Sequence, residues 1–74
     1  MKNLKEIFAS VETFVMFMIV TAEQAGRDGR DEAGSFLRGA AYAIRAMAPL
    51  EDLPLINTWL NETMTKIYPN WEWR

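Results

Sequence analysis

Apolar residues recur at helical spacing along the first third of the chain. At about 100° per residue, Leu4, Ile7, Phe8, Val11, Phe14, Val15, Met18, Ile19 and Ala22 fall on one stripe. Lys5, Glu6, Ser10, Glu12 and Thr13 lie off it. The pattern predicts an amphipathic helix over about 3–25. Inside it, Phe14 to Val20 is an unbroken apolar run, and Met16, Phe17 and Val20 emerge opposite the stripe. A helix that is apolar on every side must be covered on every side. The cover comes either from the rest of the chain or from a second copy, and the shortness of the rest favours the second copy. A buried strand over 13–21 fits the run by itself. The helical pattern begins well before the run, however, and no second strand is available to pair with it.

The next punctuation is Gly26-Arg27-Asp28-Gly29-Arg30-Asp31, two glycines and two aspartates in a row of six. Gly26 suits the left-handed position that ends a helix. Asp28 or Asp31 suits the cap of the following one, and Asp31 and Glu32 suit its first turn, where negative charge is favoured. A second helix is expected over about 31–48, with Phe36, Leu37, Ala40, Ala43, Ile44 and Met47 as its apolar side. Gly39, Ala43 and Ala46 lie close together on one flank, which predicts a close approach to the first helix. Pro49 closes it. Asp52 is the expected cap of a third helix over about 53–68, with Pro54 tolerated in its first turn. Leu55, Ile56, Trp59, Leu60, Thr63, Met64 and Ile67 form that helix's apolar side, and Asn57, Asn61, Glu62, Thr65 and Lys66 face out. Pro69 stops it. In the tail, Trp71 and Trp73 would share a side if extended, either capping the bundle or anchoring a partner.

The expected fold is therefore all-α, a single domain spanning 1–74. It is a small three-helix bundle made of a helical hairpin about the glycine turn plus a third helix, and it is dimeric. Composition sharpens this picture. With 74 residues and no cysteine, the chain is short of core and has no disulfide to compensate. Hydrophobic residues make up 50% of it, which excludes a disordered chain. The basic start and the apolar run outline a signal peptide, but Glu6 and Glu12 fall where such peptides are free of acid. The uncharged stretch is well short of the ~20 residues a membrane span needs. A cytoplasmic location is the expectation.

Chemistry is excluded more than it is indicated. There is no histidine and no cysteine, which removes the commonest general base and the thiolate and imidazole metal ligands. Ser10 and Ser35 stand in no nucleophile motif, and Gly34 and Gly39 in no phosphate loop. Carboxylates gather at Asp28, Asp31 and Glu32 and at Glu51 and Asp52, where helix caps need them and without calcium-loop spacing. No catalytic, cofactor or metal site is expected, and the chain reads as a non-enzyme.

The charged feature that stands out is arginine. Arg30, Arg38 and Arg45 fall within about 80° on the second helix, with Arg27 just ahead of it. Such a face is solvated and locally paired, or it grips an acidic protein surface, or it grips phosphates. The net charge of −2 and the lack of interleaved aromatics count against nucleic acid.

The functional expectation is a protein–protein interaction module, a small homodimeric inhibitor, adaptor or assembly factor that occupies a surface of an unidentified protein. On composition alone it fits an accessory protein of a phage or mobile element. Self-association is expected through Met16, Phe17 and Val20, and partner binding through Arg27, Arg30, Arg38, Arg45, Trp71 and Trp73. The alternative is a nucleic-acid-binding regulator that uses the arginine face. A small-molecule carrier ranks below both, since no polar group marks a ligand.

Overall fold

A computed structural model describes residues 3–68; Trp71, Trp73 and the rest of the tail lie outside the described residues. Three helices and a short connecting turn account for the described residues. They are α1 (Leu4–Gln24), α2 (Arg30–Met47), a 3₁₀ turn (Leu50–Asp52) and α3 (Leu53–Ile67), with no strand among the described residues. The all-α bundle expected from the pattern is the fold observed.

Each boundary has a local cause. Asn3 caps α1, its side-chain oxygen accepting from the Glu6 amide at 2.9 Å. The C-terminus of α1 closes in a Schellman motif. The Arg27 amide donates to the Ala22 carbonyl at 2.8 Å and the Gly26 amide to the Glu23 carbonyl at 3.0 Å. Gly26 carries the left-handed backbone that this requires, at φ 76°. The start of α2 corrects the expected cap. Gly29 occupies the cap position, and the Asp28 carboxylate instead accepts from the Arg30 amide at 3.0 Å. Asp31 and Glu32 do occupy the first turn. Asp52 makes no side-chain cap bond either, because it ends a 3₁₀ turn that runs straight into α3. Pro54 sits in the first turn of α3, where its missing amide hydrogen has no partner to lose.

The core is a seam along α2. Leu37, Ala33, Ala41 and Ile44 of α2 pack with Ile56, Trp59, Leu60, Met64 and Ile67 of α3 and with Phe8 and Val15 of α1. Each fully buried aliphatic side chain in such a seam contributes roughly 1.5–3 kcal/mol. α2 lies alongside both other helices, whereas α1 and α3 meet chiefly through side chains. Phe8 stacks on Trp59 with ring centroids 4.2 Å apart and planes 9° from parallel. Thr63 donates to Glu12 at 3.3 Å, and the Lys66 ammonium lies 3.9 Å from the same carboxylate.

The phase of α2 differs from the expectation. Its buried face is Ala33, Gly34, Leu37, Ala41 and Ile44, while Phe36, Ala43 and Met47 are exposed and Ala40 is half-buried. The reason is steric. Small residues let α3 and Tyr68 come close, so the large residues are turned to the flank. The close approach of α1 and α2 is also elsewhere than expected. Gly39, Ala43 and Ala46 are exposed, and a Cβ on Gly39 would meet nothing within 4 Å. The tight point is the buried Gly29, where a Cβ would come 2.6 Å from the Ala22 methyl. On α3, Leu55 is exposed rather than part of the core. Asn57 does not simply face out, since its Oδ1 is buried without a hydrogen-bond partner among the described residues.

Candidate interaction face

α1 turns its core stripe inward only in part. Phe8, Val15 and Ala22 are buried, and Leu4, Ile7, Val11, Met18 and Ile19 are half-buried against them. Phe14, which spacing assigns to that stripe, is instead 48% exposed. It lies at the edge of the stripe on the α2 side, against Phe36, and α2 passes too low to cover it. Met16, Phe17 and Val20 are 57%, 63% and 45% exposed, so the helix is left uncovered on its second face by the described residues.

These side chains are not scattered. Phe14 lies 4.9 Å from Phe36 of α2 and 6.2 Å from Phe17, centroid to centroid, in tilted arrangements. An aromatic cluster therefore bridges the α1–α2 seam on its solvent side. The polar residues around it are quiet. Ser10 donates its hydroxyl to the Glu6 carbonyl at 3.0 Å, and Thr13 to the Ala9 carbonyl at 2.9 Å. Both donors are satisfied inside the helix, so covering this face strands neither of them. Between Ala9 and Ala22 the only charge is Glu12, and it points to α3. Spacing alone assigns Phe36 to the core. The signal for its exposure is that Ala33 and Ala41 offer α3 a flatter face than Phe36 does.

On the opposite flank of α1 the helices part. A groove of about 820 Å³ opens between α1 and α3, floored by Val15, Ile19 and Ile67 and flanked by Met16, with charged residues along its rim. Met16 therefore belongs to a different side of α1 from Phe14.

The arginines separate into two pairs. Arg27 is salt-bridged to Glu32 at 2.8 Å, and Arg30 reaches both oxygens of Asp28, at 2.7 Å from its terminal nitrogen. The hydrogen bonds from Arg30 hold the Asp28 carboxyl down at about 2 and raise the Arg30 guanidinium in turn. Arg45 lies over the Tyr42 ring at 5.9 Å. Arg38 is exposed, with no ion pair among the described residues. Helical spacing groups Arg30, Arg38 and Arg45 on one face, with Arg27 just ahead of it; the structure engages Arg27 and Arg30 where α1 turns into α2.

Tyr68 is a member of this corner that no sequence pattern flags. Its hydroxyl donates to Asp31, Arg30 lies 5.9 Å from its ring centroid, and a Cβ on Gly34 would come 3.3 Å from the ring. Burial, with the Asp31 hydrogen bond second, pushes its hydroxyl up to about 12.

Among the described residues no group of three or more Asp, Glu, His or Cys is placed to hold a metal ion, and no helix is long and apolar enough to cross a membrane. Comparison with family models, curated proteins and solved structures yields no match to this chain.

Proposed function

We propose that the protein is a non-enzymatic interaction module that works as a homodimer, joined through the outer face of α1 around Phe17 with Val20 beside it; Met16 lines the α1–α3 groove and is left out of the proposed contact. The observation that carries this is the exposure of three large apolar side chains along the outer side of one helix, Phe14, Phe17 and Val20, with no charge among them. A monomeric protein rarely leaves contiguous apolar surface of this kind to water. Self-association also supplies the extra burial that a chain of this size lacks. In such a dimer the arginine-bearing side of α2 would remain outside, free to occupy the surface of another protein as an inhibitor, adaptor or assembly factor, with Trp71 and Trp73 as further proposed contacts. Arg38 and Arg45 are the arginines best suited to that contact, since Arg27 and Arg30 are already engaged by Glu32 and Asp28. That engagement disfavours phosphate binding, which needs cationic side chains with few internal partners.

Absolute mass by light scattering over a dilution series tests the reading. The expected mass is twice 8.5 kDa for the native chain, falling to the monomer value in Phe17→Glu with the helical circular dichroism spectrum kept. A native chain that is monomeric throughout, or a Phe17→Glu chain that stays dimeric, overturns it.

A further inference from the structure

Resting on that reading, we infer that the second copy docks on the α1–α2 hairpin face rather than on α1 alone. The α2 contribution is the exposed strip of Phe36, Gly39, Ala43 and Met47.

Area favours the wider face. Taking roughly 200 Å² for a whole aromatic side chain, the exposed parts of Phe14, Phe17 and Phe36 come to about 300 Å². A stable interface takes roughly 800 Å² from each partner. The outer face of α1 cannot supply the difference on one flat front. Met16 lies about 160° around the helix from Phe14 and faces the α1–α3 groove, so a partner that covers Phe14 leaves Met16 in water. The surface that adjoins the aromatic cluster is α2. Helical spacing places Gly39, Ala43 and Met47 beside Phe36. All four are exposed, and Phe36 is in contact with Phe14.

Charge selects the occupant. A two-fold interface sets a patch against its own copy, so any net charge on the patch repels itself. Here the α1 stretch from Thr13 to Ala22 has no charge. On α2, Arg38 and Arg45 lie on the side away from Phe36 and Ala43. Glu32, one turn before Phe36 on the same strip, is paired with Arg27, so the face has no net charge. Such a face has nothing to match in an acidic or basic partner, and a second copy is the partner that offers the same neutral surface.

There is also steric room. Gly39 and Ala43 leave α2 thin where a facing helix would cross it, and no described residue fills the space over Gly39. Two hairpins laid face to face then form a four-helix core with aromatic rings from α1 and small residues from α2.

The test is the same dilution series on four single variants. Gly39→Glu and Ala43→Glu place a carboxylate on the α2 strip; both replace exposed helix residues, and a Cβ added at Gly39 meets no neighbour. Each is expected to raise the dimer dissociation constant roughly a hundredfold or more, with the monomer still helical. Met16→Glu is expected to leave the dissociation constant within about threefold of native. If Gly39→Glu and Ala43→Glu dimerise like the native chain while Met16→Glu and Phe17→Glu do not, the interface is on α1 alone and this inference is overturned while the dimer reading stands. If Phe17→Glu also dimerises normally, or the native chain is monomeric, both are overturned.

Discussion

Gly29 shows how much a single hydrogen can decide. It caps α2, is buried, and lets the Ala22 methyl and the Met18 carbonyl come up against its Cα. An added methyl would lie 2.6 Å from the Ala22 Cβ and 3.2 Å from the Met18 oxygen. Neither neighbour is the loose end of a side chain, so the helices themselves must shift. Gly29→Ala is expected to cost about 1–3 kcal/mol. In a chain of this size each kcal/mol lowers the melting temperature by about 4–8 °C, which a thermal scan of the two proteins reads directly. Tyr68 is the other residue with an outsized role, because it ties the end of α3 to the start of α2 through Asp31. Its hydroxyl titrates near 12 in the fold and near 10 when unfolded, so the unfolded chain loses its proton first. The stabilisation this group provides is complete below about pH 10 and is lost as the pH rises from about 10 to about 12. Denaturant midpoints across that range are expected to fall more steeply in the native chain than in Tyr68→Phe.

At the level of elements, what is legible in the sequence is what local chemistry decides. Gly26 ends α1 and Pro54 opens α3 because left-handed backbone and a missing amide hydrogen are properties of single residues. The helices themselves follow from periodicity. The phase of α2 does not follow, because size and hydrophobicity favour Phe36 and Met47 as core residues, whereas the neighbour to be accommodated favours Ala33, Gly34 and Ala41. Phe14 departs from its expected place for a related reason. A stripe more than about 100° wide has edges, and which edge is covered depends on where the next helix lies. Nor does spacing reveal that Arg27 and Arg30 turn back onto Glu32 and Asp28, since those pairs form in a turn and not along a helix face. The exposed second face of α1 is legible, because two short helices cannot cover every side of a third.

The whole molecule divides labour between its sides. The hairpin face has exposed rings, internally bonded hydroxyls and, with Glu32 paired to Arg27, no net charge. The far side of α2 has Arg38 and Arg45. The α1–α3 side has a groove with an apolar floor and a mixed-charge rim. Phe17→Glu and the α2 strip variants, Gly39→Glu and Ala43→Glu, are therefore expected to act on association. Substitutions at Arg38 and Arg45 are expected to leave the proposed dimer intact, at the native mass by light scattering, and to act on whatever it meets.

The central position of α2 also sets the order of events in time. Each helix pairs with its neighbour in sequence, α1 with α2 and α2 with α3, across connections of a few residues. Short loops close quickly, and helical domains built from such local pairings fold in roughly microseconds to milliseconds. In the proposed dimer, two hairpin faces then find each other by diffusion, with typical rates of about 10⁵–10⁷ M⁻¹s⁻¹. At micromolar protein the encounter is the slower event. Refolding is expected to show a fast phase, independent of concentration, as the helices form. A second phase should scale with concentration as the Phe14–Phe36 aromatic cluster leaves water. Stopped-flow dilution from denaturant at several protein concentrations separates the two, and it makes the rate at which the chain is synthesised a control on when its uncovered face is hidden.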